Sequence, residues 1–308
     1  MRKRSIEVAV AAILVLALGG VSLAVTGFQA PPGGQGRGLR HAPVAEIQRI
    51  KNNLYVVTGG GGNTAVFITK GGVVVVDTKD PGSGQAILDK IKTVTDKPVI
   101  MIINTHYHPD HVGSNEFFGP VQIVAQENTK ANMGKMDAFN GDKARFLPGK
   151  TFKNKMSLLK GKDQIDLYYF GPGHTNGDAW VVFKSLRVMH AGDMFSAKYM
   201  PWADMDNGGS LVNYGKALAK AASTVKDVDT IITGHSTLMT PADLKEYADF
   251  NNDFIAFVRS EIKAGKNIDQ AAAEYRIPDK YKGYTVGFIK LTGGIKGNIQ
   301  TAYKELGK

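Results

Sequence analysis

The chain of 308 residues contains no cysteine. The absence of cysteine excludes disulfide bonds, thiolate metal ligands and a cysteine nucleophile. Any bound metal ion must therefore be held by nitrogen and oxygen atoms, and the fold must rely on its hydrophobic core. Apolar residues make up 43% of the chain, which is enough to fill such a core.

Charged residues are absent from residues 8–28, directly after the basic segment Arg2–Arg4. A basic end followed by an apolar run is typical of an export signal. We therefore predict that residues 1–30 are either a signal peptide or an uncleaved N-terminal anchor, in which residues 8–28 cross the inner membrane. In both cases the rest of the chain is exported, as a periplasmic or secreted protein.

Long basic runs are also lacking, although the net charge is +10. The Lys and Arg residues are scattered and are not interleaved with aromatic residues, which argues against nucleic acid as a partner. We expect a small-molecule substrate, and membrane contact only through an uncleaved anchor. The sequence leaves the oligomeric state open.

Apolar strands alternate with helices through most of the chain. Residues 72–78 (GVVVVDT) and 97–105 (KPVIMIINT) are typical of strands that are buried on both faces, and residues 82–95 between them show helical periodicity. This order predicts an α/β fold. Gly59–Gly62 separate two β-rich runs and predict a hairpin turn, because no Gly-Lys-Ser/Thr follows to make a phosphate loop.

The composition divides the chain after residue 30 into three further parts. Residues 31–45 are rich in Pro and Gly and predict a linker. Residues 46–240 carry the strand–helix alternation and predict the catalytic domain. Residues 241–308 predict a helical C-terminal extension, which begins with a capping-box pattern at Thr240–Asp243.

Histidine is scarce, with seven in the chain, yet His106, His108 and His111 lie together with Asp110 in one short segment. Imidazoles this close would repel one another when protonated and would oppose their lone pairs when neutral, so we interpret the segment as a metal site. Alternate side chains of an extended segment point the same way, which lets His106 and His108 bind one ion. Asp110 and His111 are then free to face a second ion.

Three more polar residues follow predicted strands: His174 in GPGHTNG, Asp193 in HAGDMF and His235 in TGHST. Ligands on different loops at one edge of a sheet can converge on one point, and flanking glycines let the backbone approach closely. We expect all three to join the metal site. His190 lies three residues before Asp193, and we expect it to have a structural role away from the site.

The segments THYHPDH, GPGHTNG, AGDMF and GHS resemble, in order and spacing, the metal motifs of the metallo-β-lactamase-fold hydrolases. The resemblance covers about residues 46–240. It implies a four-layer αββα sandwich, here with a helical C-terminal extension, and a dinuclear site that usually holds two Zn²⁺, although other divalent ions fit the same ligands.

Carried over by position, the resemblance assigns seven residues to two ions: His106, His108 and His174 to the first, Asp110, His111 and His235 to the second, and Asp193 as the bridge between them. Asp77 matches the first motif of the family and would orient a ligand histidine. In such a site a metal-bridging hydroxide is the nucleophile, and Asp110 is the catalytic residue that orients it.

The predicted function is hydrolysis of an ester, lactone, thioester or amide by an exported dizinc enzyme. Zinc β-lactamases with similar motifs have cysteine or serine where this chain has Asp193, whereas the aspartate resembles glyoxalase II and the acyl-homoserine lactonases. β-Lactamase activity on the same site is one alternative. A mononuclear iron oxygenase similar to the persulfide dioxygenases is another, and a metal-binding protein without catalysis is a third.

The segment of residues 196–210 (SAKYMPWADMDNGGS), hereafter the aromatic loop, directly follows the Asp193 motif. Two readings are open for its side chains Tyr199 and Trp202. Either they form a wall of the substrate site, or the loop docks them on the body of the protein.

Overall fold

The apolar runs pair into two sheets. In the computed structural model, which describes residues 43–287 and 289–307, the first sheet has the order β1 to β7 and the second has the order β12-β11-β10-β9-β8. The first sheet contains β1 (Ile47–Lys51), β2 (Leu54–Val57), β3 (Thr64–Ile68), β4 (Val73–Val76), β5 (Val99–Ile103), β6 (Gln122–Gln126) and β7 (Lys150–Phe152). The second contains β8 (Lys155–Leu158), β9 (Ile165–Tyr168), β10 (Trp180–Phe183), β11 (Val188–His190) and β12 (Thr230–Ile232).

The strand directions follow from the sequence between the strands. Short turns join β1 to β4, which pair antiparallel, and Gly59–Gly62 form the predicted hairpin turn between β2 and β3. Longer connections precede β5, β6 and β7, which pair parallel. All four valines of β4 are fully buried, as expected of a β-branched strand with both faces covered. Gly59–Gly62 are called the glycine loop below.

Helices cover the outer faces of both sheets. The α-helices of the described residues are α1 (Gly84–Lys92), α2 (Pro109–Val112), α3 (Glu127–Met133), α4 (Leu211–Thr224), α5 (Pro241–Lys263), α6 (Ile268–Glu274), α7 (Ile289–Thr292) and α8 (Gly294–Glu305). α1 packs Ile87 and Ile91 against the outer face of the first sheet, beside Val73 and Val75. Together with α4 and α5 on the second sheet, this arrangement confirms the predicted four-layer αββα sandwich.

The middle layer lies between the two sheets and fixes how they face each other. Val76 and Ile103 of the first sheet share one buried cluster with Leu167, Val181 and Ile232 of the second. Alternate side chains of these strands point to this layer, as the period of a strand requires. The rigid pair of sheets therefore presents its strand ends, and the loops that follow them, in a fixed arrangement.

The C-terminal part is helical, as predicted. α5 begins with a complete capping box in which Thr240 and Asp243 exchange hydrogen bonds. α5 packs along α4, and α8 adds Ile299 and Tyr303 to the same buried cluster. The C-terminal helices thus cover the outer face of the second sheet, while the boundary between domain and extension at residue 240 stays a prediction.

The predicted signal or anchor and most of the predicted linker fall on residues 1–42, which lie outside the described residues. Within residues 43–287 and 289–307, none of the helices combines the length and the apolar character that crossing a bilayer requires.

Candidate metal centre

Loops that follow four strands bring the predicted site residues together. Residues 104–115, the histidine loop, begin directly after β5. His174 lies in the loop after β9, Asp193 in a 3-10 turn after β11, and His235 in the loop after β12. The sheets hold these loops at one edge of the sandwich, so residues distant in sequence meet there.

Among the described residues, three overlapping groups of side chains converge closely enough to bind ions. In each group, one ligand atom per residue lies within 4.8 Å of the others. The groups are His106 with His108 and His174, His106 with His111 and Asp193, and Asp110 with His111 and His235. The structure thus places all seven residues that the sequence indicated in one cluster.

Hydrogen bonds turn one nitrogen of His106 and one of His108 toward each other. His106 Nδ1 lies 3.0 Å from Thr105 Oγ1, whose hydroxyl donates to Asp77 Oδ2 at 2.6 Å, so this nitrogen carries the ring proton. His108 Nε2 donates to Asp204 Oδ2 at 3.1 Å. The remaining nitrogens, His106 Nε2 and His108 Nδ1, lie 3.1 Å apart and oppose their lone pairs.

The second histidine pair meets at two carboxylates. His111 Nδ1 donates to Asp77 Oδ2 at 2.7 Å, and its Nε2 lies 3.3 Å from both His235 Nε2 and Asp193 Oδ1. His235 Nε2 in turn lies 3.3 Å from Asp110 Oδ2 and 3.2 Å from Asp193 Oδ2. The carboxylate of Asp193 therefore has one oxygen near each of these histidines.

His174 supplies the clearest sign that a cation fits the cluster. Its Nδ1 donates to Asp178 Oδ1 at 3.3 Å. Its buried Nε2 has no hydrogen-bond partner among the described residues, and Asp193 Oδ2 is 3.9 Å away. A buried nitrogen lone pair without a donor costs free energy, which coordination of a cation would recover. Imidazole nitrogens and carboxylate oxygens in this number fit a divalent ion such as zinc.

The cluster holds protons where a cation would bind. Burial lowers the pKa of His106, and the neighbouring His111 lowers it further. Burial opposes protonation of His235 as well, but the carboxylates of Asp193 and Asp110 raise its pKa to about 9. The same carboxylates raise the pKa of His111 well above its usual range, against the effect of burial. Cation binding must therefore displace protons from His111 and His235.

Two glycines allow the backbone to approach the cluster. A Cβ atom on Gly62, in the glycine loop, would lie 2.2 Å from Cε1 of His111. A Cβ atom on Gly234 would lie 1.8 Å from Oδ1 of Asp193. Any larger residue at either position would displace a residue of the cluster.

Asp77 lies under the cluster, directly after β4, and is fully buried in a left-handed conformation with φ 62°. Its Oδ1 accepts a hydrogen bond from the Thr105 backbone N–H at 2.7 Å. Its Oδ2 accepts from His111 directly and is linked to His106 through the Thr105 hydroxyl. The position fits the orienting role that the sequence suggested for Asp77.

The aromatic loop lies against the cluster. The Trp202 ring stacks on the His108 ring, with centroids 5.3 Å apart and planes 22° apart, and meets the His174 ring edge-on at 5.2 Å. Tyr199 and Trp202 both line a cavity of about 30 Å³ beside His174 and Asp193. Both aromatic side chains therefore border the site.

Two carboxylates that contact site histidines were not predicted from the sequence. Asp178 lies four residues after His174 and also accepts a hydrogen bond from the Thr175 backbone N–H at 2.6 Å. The short spacing from His174 was a usable signal. Asp204 is 96 residues away from His108, and nothing in the local sequence indicates the contact.

His190 is fully buried and belongs to none of the three groups. Its Nε2 donates to the Asn63 carbonyl at 3.0 Å, and its Nδ1 accepts from the Gly192 backbone N–H at 3.1 Å. This ring therefore links β11 to the glycine-loop hairpin, in agreement with the structural role expected for it.

Known proteins are similar to this chain in sequence. A Metallo-beta-lactamase type 2 of Elizabethkingia meningoseptica is 32% identical over 168 residues, which cover 50% of this chain and 63% of that protein. This chain thus spans less than two thirds of the length of that relative.

Solved structures show the same fold. A metallo-beta-lactamase from Pontibacter korlensis superposes with a TM-score of 0.58 at 20% identity, covering 67% of this chain and 98% of its own. A double mutant of the sec-alkyl sulfatase PisA1 superposes with a TM-score of 0.67 at 13% identity, covering 85% of this chain and 50% of its own. The family pattern of the Metallo-beta-lactamase superfamily matches residues 57–235, more than half of the chain. With its fold and the matched residues in agreement, the chain belongs to the metallo-beta-lactamase superfamily.

Proposed function

We propose that this protein is a metal-dependent hydrolase that holds two divalent ions, zinc in the first place, and cleaves an ester, lactone, thioester or amide bond of a small molecule. The observation that carries the proposal is that His106, His108 and His174 turn nitrogen atoms toward one point, with their ligand atoms within 4.8 Å of one another. His106 Nε2 and His108 Nδ1 oppose their lone pairs at 3.1 Å, and His174 Nε2 is buried without a hydrogen-bond partner among the described residues. Without a cation this arrangement is unfavourable.

The ligand assignment follows the three groups of side chains. We assign His106, His108 and His174 to the first ion, Asp110, His111 and His235 to the second, and Asp193 to both. The two oxygens of Asp193 support its shared role, because one lies 3.3 Å from His111 Nε2 and the other faces His235 and His174.

Held by these residues, two divalent ions would supply a water of lowered pKa and would polarise the oxygen of the bond to be cleaved. The chain's own residues orient the reactants. Asp110 lies at the open side of the cluster, with its side chain 20% exposed, and can accept a hydrogen bond from the attacking water. Asp77 turns the inward nitrogens of His111 and His106 toward the cluster, because it accepts a hydrogen bond from the opposite side of the His111 ring and is linked to the opposite side of the His106 ring through the Thr105 hydroxyl.

The substrate site favours an uncharged molecule. A groove of about 750 Å³ runs from His235 along the glycine loop, and Val56 and Leu238 give it apolar walls. The described residues that line it include no Lys, Arg, Asp or Glu. A groove of this size suits a small molecule, and the absence of Lys and Arg from its described lining favours a neutral ester, lactone or amide over a substrate with a carboxylate.

The test is metal analysis followed by hydrolysis assays. We expect about two zinc ions per chain, and hydrolysis of neutral lactones and esters that falls at least about 100-fold in Asp110→Ala. The surface variant Asp142→Ala serves as the matched control and is expected to keep wild-type activity. One iron per chain with oxygen uptake would instead indicate the oxygenase alternative.

β-Lactam hydrolysis is the second candidate activity, because the Elizabethkingia relative carries that name. The assay panel therefore includes β-lactams, thioesters and alkyl sulfate esters. Faster Asp110-dependent turnover of β-lactams than of lactones would reverse the order of the two candidates. The absence of any Asp110-dependent turnover would remove the hydrolase proposal.

We further propose that the protein is exported by residues 1–30, on the strength of the uncharged run of residues 8–28 after a basic start. Fractionation of expressing cells and N-terminal sequencing of the product test this. Full-length protein in the cytoplasm would contradict it, and full-length protein in the membrane fraction would indicate the anchor.

A further inference from the structure

Each of the two nitrogens of the His108 ring has a polar neighbour, one inside the cluster and one outside it. Its Nδ1 faces His106 Nε2 at 3.1 Å, inside the cluster. Its Nε2 faces outward and lies 3.1 Å from Asp204 Oδ2, in the aromatic loop. The tautomer of His108 therefore depends on this carboxylate, because a proton on Nε2 leaves the lone pair on Nδ1.

Asp204 is itself held in place by donors from both sides. The Tyr107 hydroxyl donates to Asp204 Oδ2, and Asn207 Nδ2 donates to the same oxygen at 3.1 Å. Asn207 Nδ2 also donates to the Tyr107 hydroxyl at 2.7 Å, which closes the network. A carboxylate with this many fixed donors keeps one orientation.

Backbone hydrogen bonds connect Asp204 to the loop that carries His174 and to the rest of the aromatic loop. The Asp204 N–H donates to the carbonyl of His174 at 2.8 Å, and the Gly209 N–H donates to the carbonyl of Asp204 at 2.8 Å. Asp204 thus contacts the side chain of one residue of the first group and the backbone of another. Trp202, two residues earlier, stacks on the outer face of the His108 ring and limits its rotation.

We propose that Asp204 is a positioning residue that fixes His108 as an Nδ1 ligand, and that Tyr107 and Asn207 hold Asp204 for this purpose. The inference rests on the proposed function, since it concerns the first of the two ions. It gives the aromatic loop a role beyond forming a wall, because the loop supplies the hydrogen-bond acceptor that prepares a ligand. A carboxylate behind a metal-binding histidine typically changes metal affinity by about 10–100-fold.

The experiment measures zinc affinity of the full chain by competition with a chromophoric chelator. We expect Asp204→Ala to weaken one of two zinc ions by about 10–100-fold and to leave the other nearly unchanged. Asp204→Asn keeps an oxygen acceptor and should recover part of the loss. The matched control is Asp206→Ala, an exposed aspartate of the same loop, which should bind both ions as the wild type does.

A second readout separates positioning from general damage to the fold. In Co²⁺-substituted protein, the visible absorption bands report the ligand geometry, and Asp204→Ala should change the bands of one ion only. Tyr107→Phe removes a single hydroxyl and keeps the ring, so it serves if Asp204→Ala does not fold. We expect Tyr107→Phe to weaken binding of the same ion by about 3–10-fold, less than Asp204→Ala, because Asn207 still donates to the Asp204 carboxylate.

The outcomes separate the inference from the proposed function. Two zinc ions bound equally well by wild type, Asp204→Ala and Tyr107→Phe would overturn the role of Asp204 and leave the dinuclear hydrolase intact. Wild-type protein that binds no divalent ion with measurable affinity would overturn the proposed function itself. Selective weakening of one ion supports both.

Discussion

Two carboxylates face two histidines of the site from opposite sides, and their surroundings differ. Asp77 is fully buried directly after β4 and accepts hydrogen bonds from His111 and from both donors of Thr105. Asp204 lies in a loop, and its side chain is 13% exposed next to His108. Asp77 belongs to the core of the sandwich, whereas Asp204 lies in a loop that packs against the cluster at the surface. Loss of the Asp77 carboxylate should therefore lower the unfolding free energy, whereas loss of the Asp204 carboxylate should mainly change the metal site.

The largest effect is expected for Asp77→Ala. The substitution leaves the Thr105 backbone N–H and His111 Nδ1 buried without their acceptor. Breaking a buried, hydrogen-bonded charge pair by removing one partner costs about 3–5 kcal/mol of unfolding free energy. Urea denaturation of the metal-free protein measures this. A loss below about 1 kcal/mol would mean that water or a neighbour replaces the carboxylate, and the contrast with Asp204 would disappear.

A buried lysine lies two residues beyond Asp77. Lys79 is fully buried, and its Nζ donates to the carbonyls of Val57 at 2.9 Å and Gly62 at 2.7 Å. Burial lowers its pKa from the usual 10.5 to about 7, although the nearby Asp77 raises it. The amine thereby holds the glycine loop against the cluster.

This lowered pKa makes stability depend on pH in a defined direction. Between about pH 7 and about pH 10.5 the unfolded chain keeps the Lys79 proton while the folded chain loses it, so the unfolding free energy rises with pH. From about pH 7 to about pH 10 we expect the wild type to gain about 3 kcal/mol relative to Lys79→Met. Urea denaturation at both pH values measures the difference. The exposed Lys92→Met is the matched control, and a gain equal to that control would contradict the buried charge.

The smallest effect on stability is expected for Asp204→Ala. Its hydrogen bonds are formed at a partly exposed loop, so the loss of unfolding free energy should be only about 1 kcal/mol in the metal-free protein. The same denaturation experiment as for Asp77→Ala gives a direct comparison. Equal destabilisation by the two variants would show that the aromatic loop is as much a part of the core as β4.

Much of the fold could be predicted because each signal was local. The valine run of β4 marks a strand covered on both faces, and the Thr240–Asp243 pattern marks the start of α5. The histidine loop was equally clear, because the covalent chain alone keeps its ligands within reach of one another. His174, Asp193 and His235 could be added because each follows a predicted strand and is flanked by glycine.

By itself, the sequence determined the types of ligand, the α/β architecture and the absence of thiol chemistry. Only the tertiary structure decided which nitrogen of each histidine faces the cluster. That choice depends on the acceptor behind each ring, and for His108 the acceptor comes from 96 residues along the chain. It also decided that a groove whose described lining residues include no Lys, Arg, Asp or Glu lies at His235, because β2, the glycine loop and the loop after β12 form its walls together. Such contacts depend on how the two sheets pack, and no short stretch of sequence records that packing.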